Sequence, residues 1–167
     1  MPTTISHPAI ALLKPWFPRV PRSAVILGIV ASMLPDIDVV AFAFDIPYGS
    51  TFGHRGFTHS IVFAFVVALL CTLFIHPRTL SVFIFLFICA ISHTVFDAMT
   101  DGGLGVAFFS PFSNERYFLP WRPIRVAPIG AHAFSARGVE SFLTEVVWVW
   151  IPCAVAGLVG LALRKRK

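Results

Sequence analysis

The stretch "LSVFIFLFICAISHTVFDA", residues 80–98, decides the fold, because its apolar side chains run for the length that an α-helix needs to cross a membrane. Its carboxyl-terminal part carries His93 and Asp97, which are four residues apart and therefore point from the same face of a helix. Two ligands on adjacent turns can bind one metal ion. The stretch predicts a membrane-spanning helix with a pair of potential metal ligands, although a histidine near a helix end is more often a hydrogen-bonded structural residue.

The rest of the chain repeats this apolar character. Stretches of comparable length lie at about 23–44, 60–76 and 142–163, and hydrophobic residues make up 57% of the sequence, too many for an ordinary soluble domain. The three cysteines fall inside these stretches without the spacing of a thiolate metal site, so we expect small buried apolar residues there. We predict an all-α, polytopic membrane helical bundle of about four transmembrane helices, with a long polar loop between the third and the fourth. It forms a single domain over residues 1–167.

Positive charges mark the ends of the spans. Basic residues lie at 14–22 before the first span and in "RKRK" at 164–167 after the last, where topology and anionic headgroups explain them without nucleic acid. The amino-terminal segment has no apolar run of a cleavable signal peptide, so we expect the first span to remain as an anchor. Four crossings would place both termini on one face, which the positive-inside rule makes cytoplasmic. Residues 45–59 and 99–141 would then face the other side.

Two carboxylates interrupt the first span. In "SMLPDIDVV", residues 32–40, Asp36 and Asp38 follow Pro35 inside an apolar run. Proline removes a backbone donor, so we expect the helix to break there. A charged side chain at bilayer depth is costly unless it is paired or bound to a metal. The carboxylates therefore indicate a functional site, unless the span ends earlier and they lie at the membrane interface.

A third polar cluster, "GHRGFTHS" at 53–60, comes just before the second span. Its histidines, His54 and His59, are potential ligands, and Arg55 could clamp a phosphate or a carboxylate. Since neighbouring spans alternate in direction, we expect the polar ends of all four spans at one membrane face. The residues expected to converge there are Asp36, Asp38, His54, His59, His93 and Asp97, with Glu140 and Glu145 at the start of the fourth span.

The chemistry of these side chains favours a divalent metal. Oxygen and imidazole ligands without thiolate suit zinc, manganese or iron(II), and zinc is the usual choice for hydrolysis. The ligands exceed what one tetrahedral ion can use, so we expect two or three Zn²⁺ ions. Clustered ions acidify a bound water and stabilise an anionic oxygen, as phosphoester hydrolysis requires. Two further histidines stand apart: His76 is expected in a turn at the opposite end, and His132 has no assigned role.

The long loop adds arginines among aromatic residues. In "SPFSNERYFLPWRPIR", residues 110–125, Arg116, Arg122 and Arg125 offer forked donors that match a phosphate. We expect them to bind a phosphate-containing substrate. An ordinary aromatic belt with arginines facing lipid headgroups explains the same pattern.

The segments "SMLPDID", "GHRGFTHS" and "SHTVFDAMTDGG", after an early histidine in "SHPAIALL", resemble the YdjM family of membrane-bound metal-dependent hydrolases, also described as LexA-binding inner-membrane proteins. The family is distantly similar to zinc-dependent phospholipase C and the fungal single-strand nucleases. The resemblance implies a bacterial inner-membrane location. It also implies ligand roles for His93 and Asp97 as a His-x-x-x-Asp pair, for His54 or His59, for Asp36, for the early His7 and for the late acidic Glu140. Family members often carry a histidine directly after "LPDID", where this chain has Val39, which leaves the number of ions open.

The residues and the resemblance together predict a membrane-bound hydrolase that cleaves a phosphoester in a lipid or lipid-linked substrate at the periplasmic face, with Asp36 and Arg55 in catalytic roles. The nucleophile would be a metal-activated water, since no G-x-S-x-G, H-E-x-x-H or Walker pattern occurs. The alternative is a divalent-metal transporter or sensor, because ionisable residues in membranes also mark ion pathways. A transporter needs polar groups along a continuous path, whereas the opposite halves of the later spans are almost wholly apolar.

Overall fold

The computed structural model describes residues 1–128 and 135–166, and every regular element in these residues is a helix. The five α-helices are α1 (Arg22–Met33), α2 (Ile61–Leu73), α3 (Leu80–Ala98), α4 (Ala136–Glu145) and α5 (Ile151–Lys165). The remaining helical segments are the 3₁₀-helices Thr4–Trp16, Leu34–Phe44 and Phe57–His59, and the π-helical stretch Val146–Trp150. The predicted helical membrane bundle is confirmed.

Within the described residues, three helical segments are long and apolar enough to cross a membrane: Arg22–Phe44, Leu80–Ala98 and Ala136–Lys165. The second predicted span is instead a helix of 13 residues. At about 1.5 Å per residue it is roughly 20 Å long, shorter than the ~30 Å hydrocarbon core. Its start is set by Ser60, whose hydroxyl accepts a hydrogen bond from the Phe63 backbone NH. The described bundle therefore has three full-length spans, and the second of the about four predicted spans is the short apolar helix α2.

The first span changes its winding where the sequence predicts a break. α1 ends at Met33, and the chain continues from Leu34 to Phe44 as a 3₁₀-helix with Pro35 in its first turn. Asp36 and Asp38 lie on this second segment, and both are buried. The span thus carries its two carboxylates into the protein interior.

α3 lies at the centre of the bundle. Its side chains Phe85, Leu86 and Cys89 are fully buried against α1, α2 and the amino-terminal 3₁₀-helix. Gly28 on α1 permits a close approach, because a Cβ there would lie 2.9 Å from the Cys89 Sγ. This packing surrounds the polar end of α3 with neighbouring segments.

The amino-terminal 3₁₀-helix corrects the predicted topology. It begins beside Glu145, whose carboxylate lies 2.7 Å from the Thr3 backbone nitrogen, and it ends where the Trp16 indole donates to the Ala156 carbonyl of α5. Its 13 residues, at about 2.0 Å each, run roughly 26 Å along the bundle and parallel to α5. The first residues and the end of α5 therefore lie at opposite ends of the bundle. The prediction that both termini share one face is wrong.

The hydropathy pattern does not reveal the amino-terminal 3₁₀-helix, because Pro8, Lys14 and Pro15 interrupt its apolar residues. Its packing on α5 is nevertheless close, since a Cβ on Gly157 would lie 2.5 Å from the Leu12 carbonyl oxygen. The basic residues that flank the spans still share one end of the bundle, opposite Glu145. We call it the basic end, and it comprises Lys14, Arg19, Arg22, Arg78, Arg164, Lys165 and Arg166.

The segment after α3 folds back over the polar end of the bundle. Isolated β-bridges pair Thr100 with Ile124 and Val106 with Tyr117. Ile124 and Val106 are fully buried, so the bridges carry apolar side chains into the interior. As far as residue 128, the predicted polar loop packs on the helices and covers the end that carries the carboxylates.

Candidate metal centre

Four segments bring potential ligands together at the end of the bundle that carries Glu145. These segments are the amino-terminal 3₁₀-helix, the 3₁₀-helix after α1, the turn before α2 and the last turns of α3. The predicted ligands that meet there are His7, Asp36, Asp38, His54, His59, His93 and Asp97, all of them buried. Three triads place their ligand atoms within 4.8 Å of one another: His7, His93 and Asp97; Asp36, His59 and His93; and Asp38, His54 and His59.

His59 and His93 form the middle of this cluster. Their Nε2 atoms lie 3.0 Å apart. Asp97 Oδ2 lies 3.4 Å from His59 Nε2, and Asp36 Oδ1 lies 3.3 Å from His93 Nε2. Two imidazoles and two carboxylates from three segments thus surround one small volume, which we call the His59–His93 centre. This donor set is typical of zinc, manganese or iron(II).

The second ring nitrogen, Nδ1, of both His59 and His93 contacts an oxygen atom of the protein. His93 Nδ1 lies 2.7 Å from the Ser32 backbone oxygen, which can only accept, so Nδ1 carries a hydrogen and, in the neutral ring, Nε2 has the lone pair. His59 Nδ1 lies 3.0 Å from Asp38 Oδ2. Such contacts fix the tautomer and the ring orientation of histidines that bind metals. Both Nε2 atoms therefore point into the centre.

Asp38 organises the turn before α2. Its Oδ1 atom lies 2.6 Å from His54 Nδ1, while Oδ2 accepts hydrogen bonds from the Arg55 backbone NH at 3.0 Å and the Thr58 hydroxyl at 2.6 Å. Both carboxylate oxygens are thus engaged by protein donors. The structure brings the predicted ligands Asp38 and His54 to the cluster, but as partners that orient the turn and His59.

Arg55 is fully buried and holds Asp97. Its Nε atom lies 2.8 Å from Asp97 Oδ2, an ion pair without hydrogen-bond alignment, and its terminal nitrogens donate to the Gly102 carbonyl and the Thr100 hydroxyl at 3.0 Å. Its φ of 61° is left-handed, a conformation that non-glycine residues adopt only where their surroundings impose it. Every guanidinium nitrogen is engaged inside the protein. The geometry makes Arg55 a positioning residue for Asp97, in place of the predicted substrate clamp.

Several buried polar atoms of the cluster have no hydrogen-bond partner. They are both ring nitrogens of His7, Oδ1 of Asp36 and both carboxylate oxygens of Asp97. His7 stacks on His93 with 3.7 Å between ring centroids, and burial lowers the pKa of His7 to about 3, so its ring is neutral and able to bind a metal. An unpartnered buried polar group costs about 1–3 kcal/mol. The convergence of these atoms fits a bound cation.

The cluster also carries an excess of negative charge. Three buried carboxylates, Asp36, Asp38 and Asp97, face one guanidinium, that of Arg55, which leaves a formal charge of minus two when the imidazoles and the nearby Met1 amino group, whose pKa burial lowers to about 6, are neutral. Burial alone would lower the pKa of His59, but its contacts with Asp38 and Asp97 outweigh burial and raise the pKa to about 9. The site therefore attracts a positive charge, either a proton on His59 or a metal ion.

Glu140 does not reach the cluster. It is exposed on α4 and forms an ion pair with Arg125. Glu145 is fully buried, and it accepts hydrogen bonds from the hydroxyls of Thr3 and Ser6. Five helical residues correspond to a net rotation of about 140°, so the two carboxylates face different sides. The geometry contradicts Glu140 as a ligand and shows Glu145 anchoring the amino-terminal segment.

The three arginines predicted to bind substrate have other partners. Arg116 donates to three backbone carbonyls in the loop before α2 and holds that loop. Arg122 is exposed, with its guanidinium 4.7 Å from an aromatic ring centroid, and Arg125 is engaged by Glu140. Among the described contacts, none of these guanidinium groups bonds a ligand side chain of the cluster. The geometry does not support a substrate role for them at this site.

Sequence reasoning missed Ser32 and Thr4. Ser32 acts through its backbone carbonyl, which leaves no side-chain signal, and Thr4 holds Asp36 from a segment whose path was not predicted. Thr100 could have been identified from the sequence, because this polar residue follows the His-x-x-x-Asp pair closely. In the structure its hydroxyl accepts a hydrogen bond from Arg55 and donates one to the Asp97 carbonyl at the end of α3. His76 lies in a turn at the basic end, as predicted, and His132 lies outside the described residues.

Comparison with known proteins identifies the family. The family model described as YdjM inner membrane protein matches residues 4–166. The chain belongs to the YdjM family. It is 43% identical over 161 residues to the inner membrane protein YbcI of Escherichia coli (strain K12), a match that covers 91% of this chain and 92% of that relative. No solved structure matches the chain. The inner-membrane description agrees with the three apolar spans, so the chain is an inner membrane protein.

Replacing His93 with alanine is expected to remove metal from protein that is purified without chelator and reconstituted with Zn²⁺. The change deletes a ligand of the His59–His93 centre, while the apolar packing that holds α3 in the bundle remains. The metal content per chain is measured by elemental analysis, and helix content by circular dichroism. His76→Ala, an exposed histidine at the basic end, is the matched control and should keep its metal. A full metal complement in His93→Ala would exclude this centre.

Proposed function

We propose that the protein is a membrane-bound, metal-dependent hydrolase that cleaves a phosphoester in a membrane lipid or lipid-linked substrate. The observation that carries the proposal is the convergence of unpartnered buried ligand atoms of His7, Asp36 and Asp97 on the His59–His93 pair. A divalent ion bound there would polarise a phosphoryl oxygen and increase the acidity of water, which is the chemistry that phosphoester hydrolysis needs. Zinc suits this set of nitrogen and oxygen ligands.

The described ligand atoms support two ions better than three. One ion would use the two Nε2 atoms with Asp97, which leaves its fourth position for a water beside Asp36, and a second would use His7 with the remaining free oxygen of Asp97. A third ion would have to compete for Asp38, whose oxygens already accept hydrogen bonds from protein donors. We therefore propose two zinc ions as the resident complement.

Asp36 is the residue best placed to act on the substrate. Its Oδ2 atom is held by the Thr4 hydroxyl at 2.7 Å, while its Oδ1 atom has no hydrogen-bond partner. It also lines the wall of an open apolar cleft beside the centre. Such a carboxylate can orient an attacking water and accept its proton, a role typically worth about 10²–10⁴-fold in rate. Arg55 and Asp38 support this chemistry indirectly, because they position Asp97 and His59.

The distribution of buried polar groups favours a hydrolase over a metal transporter or sensor. The buried ionisable side chains of the described residues lie at one end of the bundle. Toward the basic end the interior is formed by apolar side chains such as Ala68, Val82 and Phe85. The buried Thr72 there donates to the Ala68 carbonyl and is locally satisfied. The described interior therefore offers no continuous polar path for an ion.

Zinc-loaded protein in mixed micelles is expected to hydrolyse dioleoylphosphatidylglycerol or bis(p-nitrophenyl) phosphate, and chelation should abolish the activity until zinc is restored. Asp36→Asn should lower the turnover by about 10²-fold or more, since it removes the proposed proton acceptor. Phosphorylated headgroup and p-nitrophenol are measured directly. Asp45→Asn is the matched control, because Asp45 is exposed, lies outside the cluster and has a left-handed φ of 54° that asparagine tolerates. Zinc-independent turnover, or full activity in Asp36→Asn, would refute the proposal.

The basic end supports an orientation in which the site faces the periplasm. Positive charges near short loops favour the cytoplasmic side, and the basic end carries charge beside every short connection between spans. Arg116, Arg122, Arg125 and Arg137 at the site end oppose this, but they lie in or next to the long segment, where the rule is weaker. We therefore propose a periplasmic site.

An impermeant maleimide applied to intact cells is expected to label Asn114→Cys and to spare Arg166→Cys. Both positions are exposed, at the site end and the basic end respectively, and the variants are made after replacement of the three native cysteines with alanine. Labelling of both positions after membrane permeabilisation is the control. Labelling of Arg166→Cys alone in intact cells would invert the proposed orientation.

A further inference from the structure

An open cleft lies beside Asp36, between the first and the last membrane spans. Its volume of about 970 Å³ is near the upper end of the roughly 300–1,000 Å³ that small-molecule sites occupy. Val30 and Ile37 of the first span line one wall, and Val139 and Phe142 of α4 line the other. We call this space the lateral cleft.

The chemistry of the lateral cleft is apolar with one polar corner. Among the described side chains that line it, that of Asp36 is the only charged one. Thr3 and Thr4 also line it, but their hydroxyls are directed to Glu145 and Asp36. A matching ligand would have an apolar body and, at one end, a group that binds beside Asp36. A phosphate bound through a divalent cation meets the second requirement, since the cation offsets the carboxylate charge.

The position of the cleft determines how a ligand can enter. The amino-terminal 3₁₀-helix packs between α1 and α5, so the first and last spans are held apart. Val30 and Ile37 are 52% and 62% exposed and belong to the apolar span Arg22–Phe44, so this wall of the cleft is open on the side that faces the bilayer. The cleft therefore opens sideways toward the bilayer, and an apolar ligand can enter it without crossing water.

The geometry points to one hydrocarbon chain of a membrane lipid as the occupant of the lateral cleft, with the phosphate of the same lipid at Asp36. The inference rests on the proposed function and narrows it. The substrate is a phospholipid that enters from the bilayer and is held by its own chain, as distinct from a soluble phosphoester.

The occupant can be identified by photo-crosslinking. Phosphatidic acid with a diazirine in its acyl chain is added to zinc-loaded protein in nanodiscs of phosphatidylcholine, irradiated, and located by mass spectrometry of peptides. The label is expected on peptides that contain the cleft residues Val30, Ile37, Val139 and Phe142. Val139→Trp should lower this labelling about tenfold, the loss of affinity expected when roughly two methylenes can no longer be buried.

Val155→Trp is the matched control, because Val155 on α5 has nearly the same exposure, 54%, and lies outside the cleft. It should leave the labelling of the cleft peptides unchanged. Val30→Trp fills the cleft from the opposite wall and serves as the second variant if Val139→Trp does not fold. Label spread evenly over the lipid-facing surface of α5, and insensitive to both cleft variants, would overturn the inference.

Turnover separates this inference from the proposed function. With a functional lateral cleft, Val139→Trp should lose activity on dioleoylphosphatidylglycerol in micelles and keep its activity on bis(p-nitrophenyl) phosphate. Hydrolysis of both substrates by Val139→Trp at the wild-type rate would overturn the lateral cleft and leave the hydrolase. Cleft labelling without hydrolysis of either substrate by the wild-type protein would overturn the hydrolase and leave a lipid-binding site.

Discussion

The buried contact between Arg55 and Asp97 sets the conditions for the site. A carboxylate at the end of a membrane helix cannot be left uncompensated, and a guanidinium without water needs acceptors for all of its nitrogens. The ion pair with Nε compensates the carboxylate, and the segment after α3 folds back over Arg55, where the Gly102 carbonyl and the Thr100 hydroxyl accept hydrogen bonds from the two terminal nitrogens. Asp97 is thereby held facing His59. The one guanidinium still leaves the three carboxylates of the cluster in excess, and this residual charge is what a cation would neutralise.

Backbone geometry around Arg55 follows from the same requirement. The turn before α2 passes so close to the preceding loop that a Cβ on Gly53 would lie 2.2 Å from the Pro47 carbonyl oxygen. Gly103, with φ 90°, lies against the guanidinium, and a Cβ there would be 2.9 Å from Arg55 Nη1. Glycine at both positions lets two loops close on a single buried side chain. His54 and His59 lie on this turn, so the fold of the turn determines the orientation of both imidazoles.

Local features of the site could be predicted from the sequence, and features that depend on distant contacts could not. The shared face of His93 and Asp97 follows from helical spacing, and the change of winding at Pro35 follows from the missing backbone donor. The path of residues 4–16 could not be predicted, because a proline-interrupted segment has no hydropathy signal and its close fit to Gly157 is a tertiary contact. The sequence could not show which of Glu140 and Glu145 faces the interior, because that depends on how α4 is rotated about its axis. It could not show the role of Arg55 either, because that depends on where the loop that covers Arg55 lies.

The central claim is that the His59–His93 centre binds a divalent cation, and anomalous X-ray diffraction at the zinc edge, on crystals of zinc-loaded protein, can locate such an ion. We predict an anomalous peak between the four side chains His59, His93, Asp36 and Asp97, at about 2.0–2.1 Å from both Nε2 atoms. The absence of a peak there, or peaks confined to exposed histidines such as His76, would contradict the claim and leave the buried negative charge to be balanced by protons.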